Sequence, residues 1–125
     1  MSHFYNVTIR NARLAAIVTE AGAGAIVRAY NGTRPVAGGT LSGNTLIGQL
    51  TAASVLGTVS SGVLTFNAVT GDTSADATGT PTFLRVLKSD GTTLVADFDV
   101  TGFPLCTIAQ PIDITSWTVT EGNAA

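Results

Sequence analysis

The stretch TPTFLRVLKSDGTTLVADFDV, residues 80–100, limits the possible folds of this chain more than any other segment. Two runs rich in β-branched and aromatic residues flank Asp90 and Gly91. Asp-Gly between two alternating runs is among the strongest short-range signals of a β-hairpin. We therefore predict that residues 82–88 and 93–100 form two antiparallel strands.

Side-chain alternation predicts which way the residues of this hairpin point. Side chains two apart on a strand share a face, so Asp97 and Asp99 are expected on the solvent side. The inward side of the same strand then carries Leu94, Ala96, Phe98 and Val100. Phe83 and Phe98 are predicted to lie in or beside the core.

The rest of the chain follows a similar pattern of short strands behind one helix. Apolar spacing of three to five residues predicts a helix over residues 8–21, and a period of two then predicts a strand over residues 25–30. A Gly- and Pro-rich loop and further strands complete the pattern: the loop 33–44, strands 44–52 and 62–70 on either side of a Gly- and Ser-rich segment 57–62, and a closing strand 111–119. This pattern predicts a mainly β fold, a β-sandwich or small β-barrel with one N-terminal α-helix.

The length favours one structural domain, residues 1–125, with a short N-terminal arm (residues 1–6) and a C-terminal tail (residues 120–125). No linker or repeat divides the sequence. The arm, the loop 33–44 and the tail carry little predicted regular structure. They are therefore the segments expected to contact a partner.

The glycines in EAGAGAIVRAYNGTRP, residues 20–35, resemble a phosphate-binding loop at first sight. Such a loop needs its glycines after a strand and before a helix, because the amides at the helix start hold the phosphate. Here the order is reversed, with the helix before the glycines and the strand after them. We predict a helix-to-strand joint, with Gly22 or Gly24 at a positive φ.

Composition excludes several classes of function. Charged residues make up 11% of the chain against about 25% in typical domains. Six basic and eight acidic residues give a net charge of −2, which argues against a nucleic-acid partner. No apolar run reaches the length of a membrane span or of a signal-peptide core, so synthesis in the cytoplasm is expected. The neutral surface indicates a component of an assembly.

Residues able to perform chemistry are sparse. His3, the one histidine, lies near the start of the chain, and the one cysteine, Cys106, is expected to be buried beside Leu105 and Ile108. Asp72 and Asp76 lack the spacing of a calcium loop. We expect no catalytic residue, no cofactor and no metal, and conclude that the protein is not an enzyme.

Four residues are candidate partner contacts. Arg28 and Arg85 each interrupt an apolar strand, where an arginine is a buried ion-pair partner, an interface anchor or an ordinary outward-facing residue. Trp117 is either a core residue or an interface anchor. Arg34 lies in the loop 33–44, which is itself expected to contact a partner.

Several segments resemble a family of small virion proteins that tailed bacteriophages encode among their head genes. The similarity covers residues 11–101, and its most recognisable element is TGTPTFLRVLKSDGT, residues 78–92. A Thr- and Gly-rich lead-in there enters a strand with an aromatic and an arginine, and an Asp-Gly turn follows. These residues are typical of strands and turns, and none of them indicates catalysis.

The resemblance implies a capsid cement or decoration protein that binds across subunits of the major capsid protein on the virion exterior. A small homo-oligomer is expected, and the protein would be made in the host cytoplasm. The alternative that the resemblance leaves open is a structural or adhesion component of the phage tail or neck.

Overall fold

The computed structural model describes residues 4–67, 69–114 and 117–120, and it is mainly β. Within these residues one helix precedes eight strands, and the strands form two antiparallel sheets that do not close into a barrel. The elements are α1 (Val7–Ala21), β1 (Ile26–Tyr30), β2 (Leu46–Ala52), β3 (Gly57–Ser60), β4 (Val63–Phe66), β5 (Val69–Thr70), β6 (Phe83–Leu87), β7 (Leu94–Asp99) and β8 (Thr118–Thr120), with a short 3-10 turn at Val36–Gly38. The predicted fold class is confirmed.

Helix α1 has a defined start and a defined end. The Asn6 carboxamide oxygen accepts a hydrogen bond from the Ile9 amide at 2.9 Å, which satisfies one of the unpaired amides of the first turn. The helix ends at Gly22, whose φ is +69° and whose amide donates to the Val18 carbonyl at 3.1 Å. Strand β1 follows four residues later, so the predicted helix-to-strand joint is confirmed.

The larger sheet has the strand order β5-β2-β1-β6-β7, and all of its pairings are antiparallel. Strands β6 and β7 form the predicted hairpin. Asp90 closes its turn by accepting hydrogen bonds from the Thr92 and Thr93 amides and from the Thr93 hydroxyl. Gly91 has a φ of +74°, a conformation that glycine adopts without strain.

The smaller sheet, β3-β4-β8, corrects the expectation that residues 57–62 merely connect two strands. Residues 57–60 are strand β3, and the turn to β4 is confined to Ser61 and Gly62, both at positive φ. A Cβ atom at Gly57 would collide with the Thr65 carbonyl, so the missing side chain lets β3 lie against β4.

Two predicted strands differ from the observed ones. The run 62–70 is divided between β4 of the smaller sheet and β5 of the larger one. In the run 111–119, Ile112 makes an isolated bridge to Asp72, and the strand itself is Thr118–Thr120. Residues 68, 115 and 116 lie outside the described residues, as do residues 1–3 of the predicted arm and residues 121–125 of the tail.

The main core lies between helix α1 and the two sheets. It includes Leu14 of the helix, Val27, Leu50 and Leu84 of the larger sheet and Leu64 of the smaller sheet. Aromatic rings connect the sheets as well. Phe66 stacks on Trp117 with ring centroids 3.5 Å apart, and Phe98 meets both edge-on at 5.9 and 5.8 Å.

A second, smaller apolar cluster contains Ile47, Ala75, Cys106 and Ile112. Cys106 is buried as predicted, and burial raises the pKa of its thiol. Its expected apolar neighbours lie differently, because Leu105 and Ile108 are 66% and 57% exposed. Within the described part of the chain, no helix is long and apolar enough to cross a membrane.

Candidate interaction surface

The outer face of the larger sheet, on the side away from the main core, brings two of the four candidate residues together. Register pairs Arg28 of β1 with Arg85 of β6 directly across the strands. The same row continues to Gln49 of β2 on one side and to Asp97 of β7 on the other. Four neighbouring strands thus present two cations, one carboxylate and one amide in line.

Arg85 is engaged within the chain. Its Nε and Nη2 donate to the two carboxylate oxygens of Asp97, each at 2.8 Å, and Nη2 also donates to the Gly39 carbonyl at 3.0 Å. The arginine is 8% exposed. The hydrogen bond to Asp97 raises the pKa of Arg85. Of the three alternatives for Arg85, this geometry is that of a buried ion pair.

The ion pair corrects the expected position of Asp97. Its side chain is 4% exposed, although strand alternation predicted a solvent-facing carboxylate. The cause is the loop 33–44, which contributes the Gly39 carbonyl to Arg85. The prediction for Asp97 assumed that the outer face of the sheet is exposed to solvent. In the structure, the loop 33–44 lies over part of that face.

Arg34 links the same loop to Asp99 at the end of β7, the edge strand of the sheet. Its Nε lies 2.8 Å from Asp99 Oδ1 and its Nη2 lies 3.3 Å from Asp99 Oδ2. Both side chains are exposed, at 38% and 66%. Asp99 therefore faces solvent as predicted, and its hydrogen bond to Arg34 raises the pKa of that arginine.

Backbone and amide contacts order the loop further. Asn44 donates to the Asn31 and Thr33 carbonyls at 2.8 and 3.0 Å, and the Thr82 hydroxyl donates to the Gly32 carbonyl at 2.6 Å. This loop, which is expected to contact a partner, is thus held in place by internal hydrogen bonds. Its most exposed large apolar side chain is Val36, at 88%.

Arg28 differs from Arg34 and Arg85. Its single hydrogen bond within the described residues runs from Nε to the neutral Gln49 Oε1, at 2.9 Å. Neither terminal nitrogen is among the fully enclosed side-chain atoms, so both meet solvent. None of the ion pairs formed by the described residues involves Arg28.

Trp117 lies in the aromatic contact between the sheets, and its indole nitrogen is enclosed. Nε1 has less than 1 Å² of accessible surface and no hydrogen-bond partner within the described residues. The ring also borders a cleft of about 380 Å³ whose wall includes Leu84, Phe103, Pro104 and Asp113. Because Nε1 is enclosed, a ligand in the cleft would meet carbon atoms of the indole and not its donor.

Two carboxylates in turns and loops, Asp72 and Asp90, have structural partners. Asp72 accepts from the Gln49 amide at 2.9 Å and from the Ser74 amide at 3.0 Å. Asp90 closes the β6–β7 turn, and its hydrogen bonds from Thr93 and Thr92 lower its pKa well below the usual range. The described residues contain no group of three or more metal-ligating side chains. His3 lies outside the described residues.

The exposed apolar side chains between Pro104 and Pro111, Leu105 and Ile108, were not predicted as contacts. Phe4, 78% exposed, belongs to the N-terminal arm, a segment that was expected to contact a partner. The available signal was the apolar content of residues 103–108, which has no strand or helix period and is bounded by prolines. These residues belong to no helix or strand that would direct their side chains toward the core.

Comparison with known proteins gives no relative: no family model, no curated protein and no solved structure matches this chain.

Proposed function

We propose that this protein is a structural component of a bacteriophage virion, a cement or decoration protein that binds across major capsid protein subunits on the outside of the head. In this proposal it acts as a small homo-oligomer, catalyses nothing and needs no cofactor. It is made in the host cytoplasm and functions in the particle. A place in the tail or neck is the alternative.

The observation that carries the proposal is the position of the most exposed large apolar side chains. Among the described residues, four such side chains are more than half exposed, at 57% to 88%, and lie outside helix α1 and the strands: Phe4, Val36, Leu105 and Ile108. Val7 and Ile9 of α1 and Val55 are less exposed, at 42% to 48%. Burying one such side chain in a partner contributes roughly 1.5–3 kcal/mol. Contacts of this size add up over the many copies of a symmetric lattice.

The low content of charged residues supports the same proposal. Charged residues form 11% of the chain, and the mean hydropathy is +0.38. Three ion pairs, Arg34–Asp99, Arg85–Asp97 and Lys88–Glu20, neutralise six of the charges in the described residues. A surface with so few free charges loses little hydration when a partner covers it.

The resemblance to phage virion proteins concerns the scaffold. Residues 78–92 form the entry to β6, the strand itself and the turn to β7. The aromatic and the arginine of that motif are Phe83, which stacks on Tyr30 at 5.4 Å, and Arg85, which pairs with Asp97. The motif therefore supports a shared architecture, and the exposed loops carry the proposed contacts.

Particles that lack the protein test this proposal. We expect heads of normal geometry that release their genome at lower temperature and under milder osmotic shock, because a bound partner stabilises the assembled form. Adding purified protein back should restore resistance. Particles without the protein that match complete ones in both assays would refute the cement role.

A further inference from the structure

Arg28 is a cation whose surroundings do not neutralise it. Its direct cross-strand neighbour on β6 is another cation, Arg85, and its neighbour on β2 is the neutral Gln49. Like charges directly opposite one another in a sheet are destabilising. Arg85 is already neutralised by Asp97, so that carboxylate has both oxygens occupied.

Other nearby acceptors are also occupied. An ideal Cβ atom on Gly91 would lie 3.5 Å from Arg28 Nη2, so the β6–β7 turn lies beside the guanidinium. The carboxylate of that turn, Asp90, accepts three hydrogen bonds from Thr92 and Thr93. Asp90 keeps its negative charge, but none of the ion pairs formed by the described residues joins it to Arg28.

The free side of the guanidinium determines what it can bind. Nε is bonded to Gln49, while both terminal nitrogens meet solvent. Two parallel N–H donors at the end of a planar guanidinium match the two oxygens of a carboxylate. Arg10 of the helix also lacks a counter-ion among the described residues, but its Nε is enclosed without a hydrogen-bond partner, whereas Arg28 Nε is held by Gln49.

We propose that Arg28 receives an aspartate or glutamate of the protein to which this chain binds. The carboxylate would lie against the terminal nitrogens of Arg28, beside the turn at Gly91, and would supply the negative charge that the row Gln49–Arg28–Arg85–Asp97 lacks. This inference rests on the proposed function, because the partner is taken to be the capsid lattice.

A structural role and a binding role for Arg28 predict opposite effects on folding. Arg28→Gln removes one of two adjacent cations and one hydrogen bond to a neutral amide. We expect the melting temperature to stay unchanged or to rise, because residues that serve binding often lower the stability of the folded protein. A fall of several degrees would show that Arg28 serves the fold and would overturn the inference.

Binding to phage heads prepared without the protein is the direct test. We expect Arg28→Gln to weaken binding about tenfold or more and to reduce its sensitivity to salt, because a charge pair is lost from the interface. The matched control is Lys88→Gln, which removes one positive charge from an ion pair with Glu20 that is already formed. The control should bind within about twofold of wild type, whereas equal binding by wild type and Arg28→Gln would overturn the inference.

Failure of the proposed function has a different signature. If the protein is not a cement protein, wild type itself would not bind heads. Binding of a hexaglutamate peptide then tests the pairing of Arg28 with a carboxylate independently of the cement role. Titration of the peptide should shift the NMR signal of the Arg28 Nε–Hε group and should leave that of Arg34, which is paired with Asp99, in place. An unmoved Arg28 signal would overturn the proposed pairing.

Discussion

Two arginines in similar sequence contexts have different environments because of the strands beside them. Arg28 in IVRAY and Arg85 in FLRVL both interrupt an apolar run, and local sequence does not distinguish them. Arg85 lies next to β7, which supplies Asp97, whereas Arg28 lies next to β2, which supplies Gln49. Strand order is a long-range property, and therefore the role of each arginine could not be read from its own segment.

The buried ion pair is expected to matter far more than the exposed one. Asp97→Ala leaves Arg85 buried without its counter-ion, which should lower the free energy of unfolding by about 3–5 kcal/mol. Asp99→Ala breaks the solvent-exposed pair with Arg34 and should cost far less, because water screens an exposed ion pair. Urea denaturation of both variants measures the difference. Equal costs for the two substitutions would contradict the assigned burial of Asp97.

Asp90 should make stability depend on pH in acid. Hydrogen bonds from Thr93 and Thr92 lower the pKa of Asp90 in the folded protein, so its contribution is complete above the unfolded value of about 3.9. That contribution is lost as the pH falls below this value and through the folded pKa.

Comparison of wild type with Asp90→Asn tests this dependence. The difference in free energy of unfolding should be constant near neutral pH and should shrink as the pH falls below about 4. Asp76→Asn, at an exposed position, controls for the change in net charge. A difference that stays the same from neutral to acidic pH would contradict the role assigned to the turn.

At the scale of elements, the sequence was informative wherever local signals decide the structure. Helix α1, its end at Gly22 and the β6–β7 hairpin follow from apolar period, a glycine and an Asp-Gly turn. Strand β3 was missed because the glycines and serines of residues 57–62 favour a turn, whereas residues 57–60 lie close against β4 and form a strand. The division of residues 62–70 between two sheets was missed as well, because it depends on pairing partners far away in the sequence.

The candidate surface was predictable to a similar extent. Arginine in an apolar strand identified the right residue type. The hydrogen bonds of Arg85, however, depend on Asp97 of the neighbouring strand β7 and on the Gly39 carbonyl of the loop 33–44, which local sequence does not indicate. The exposed Leu105 and Ile108 could not be distinguished from core residues by composition alone. Their segment has no helical or strand periodicity, so the burial of its residues depends on the path that the chain takes in the tertiary structure.

The hairpin carries aromatic residues on both faces of its sheet. Phe98 packs against the main core, whereas Phe83 lies on the other face, stacked on Tyr30. Phe83 is fully buried, so Phe83→Ala should lower the free energy of unfolding by about 3–5 kcal/mol. Thermal and chemical denaturation provide the measurement. A cost below about 1 kcal/mol would indicate an exposed ring and a wrong register.

At the scale of the whole molecule, a compact framework presents apolar side chains on its loops. Helix α1 and the two sheets enclose the main core, and Ile47 of β2 packs with loop residues in a smaller cluster. The arm with Phe4, the loop with Val36 and the segment with Leu105 and Ile108 extend from that framework. A framework of this kind suits a subunit whose surface is completed by neighbours. Its function would then reside in the contacts between copies and capsid.

Cryo-electron microscopy of purified phage particles is the decisive measurement. A cement protein should give density that fits the two-sheet fold at repeated positions on the outer capsid lattice. The density of Phe4, Val36 and Leu105 should be in contact with capsid protein or with another copy. Density confined to the tail or neck, or absence of the protein from the particle, would contradict the proposed place on the head.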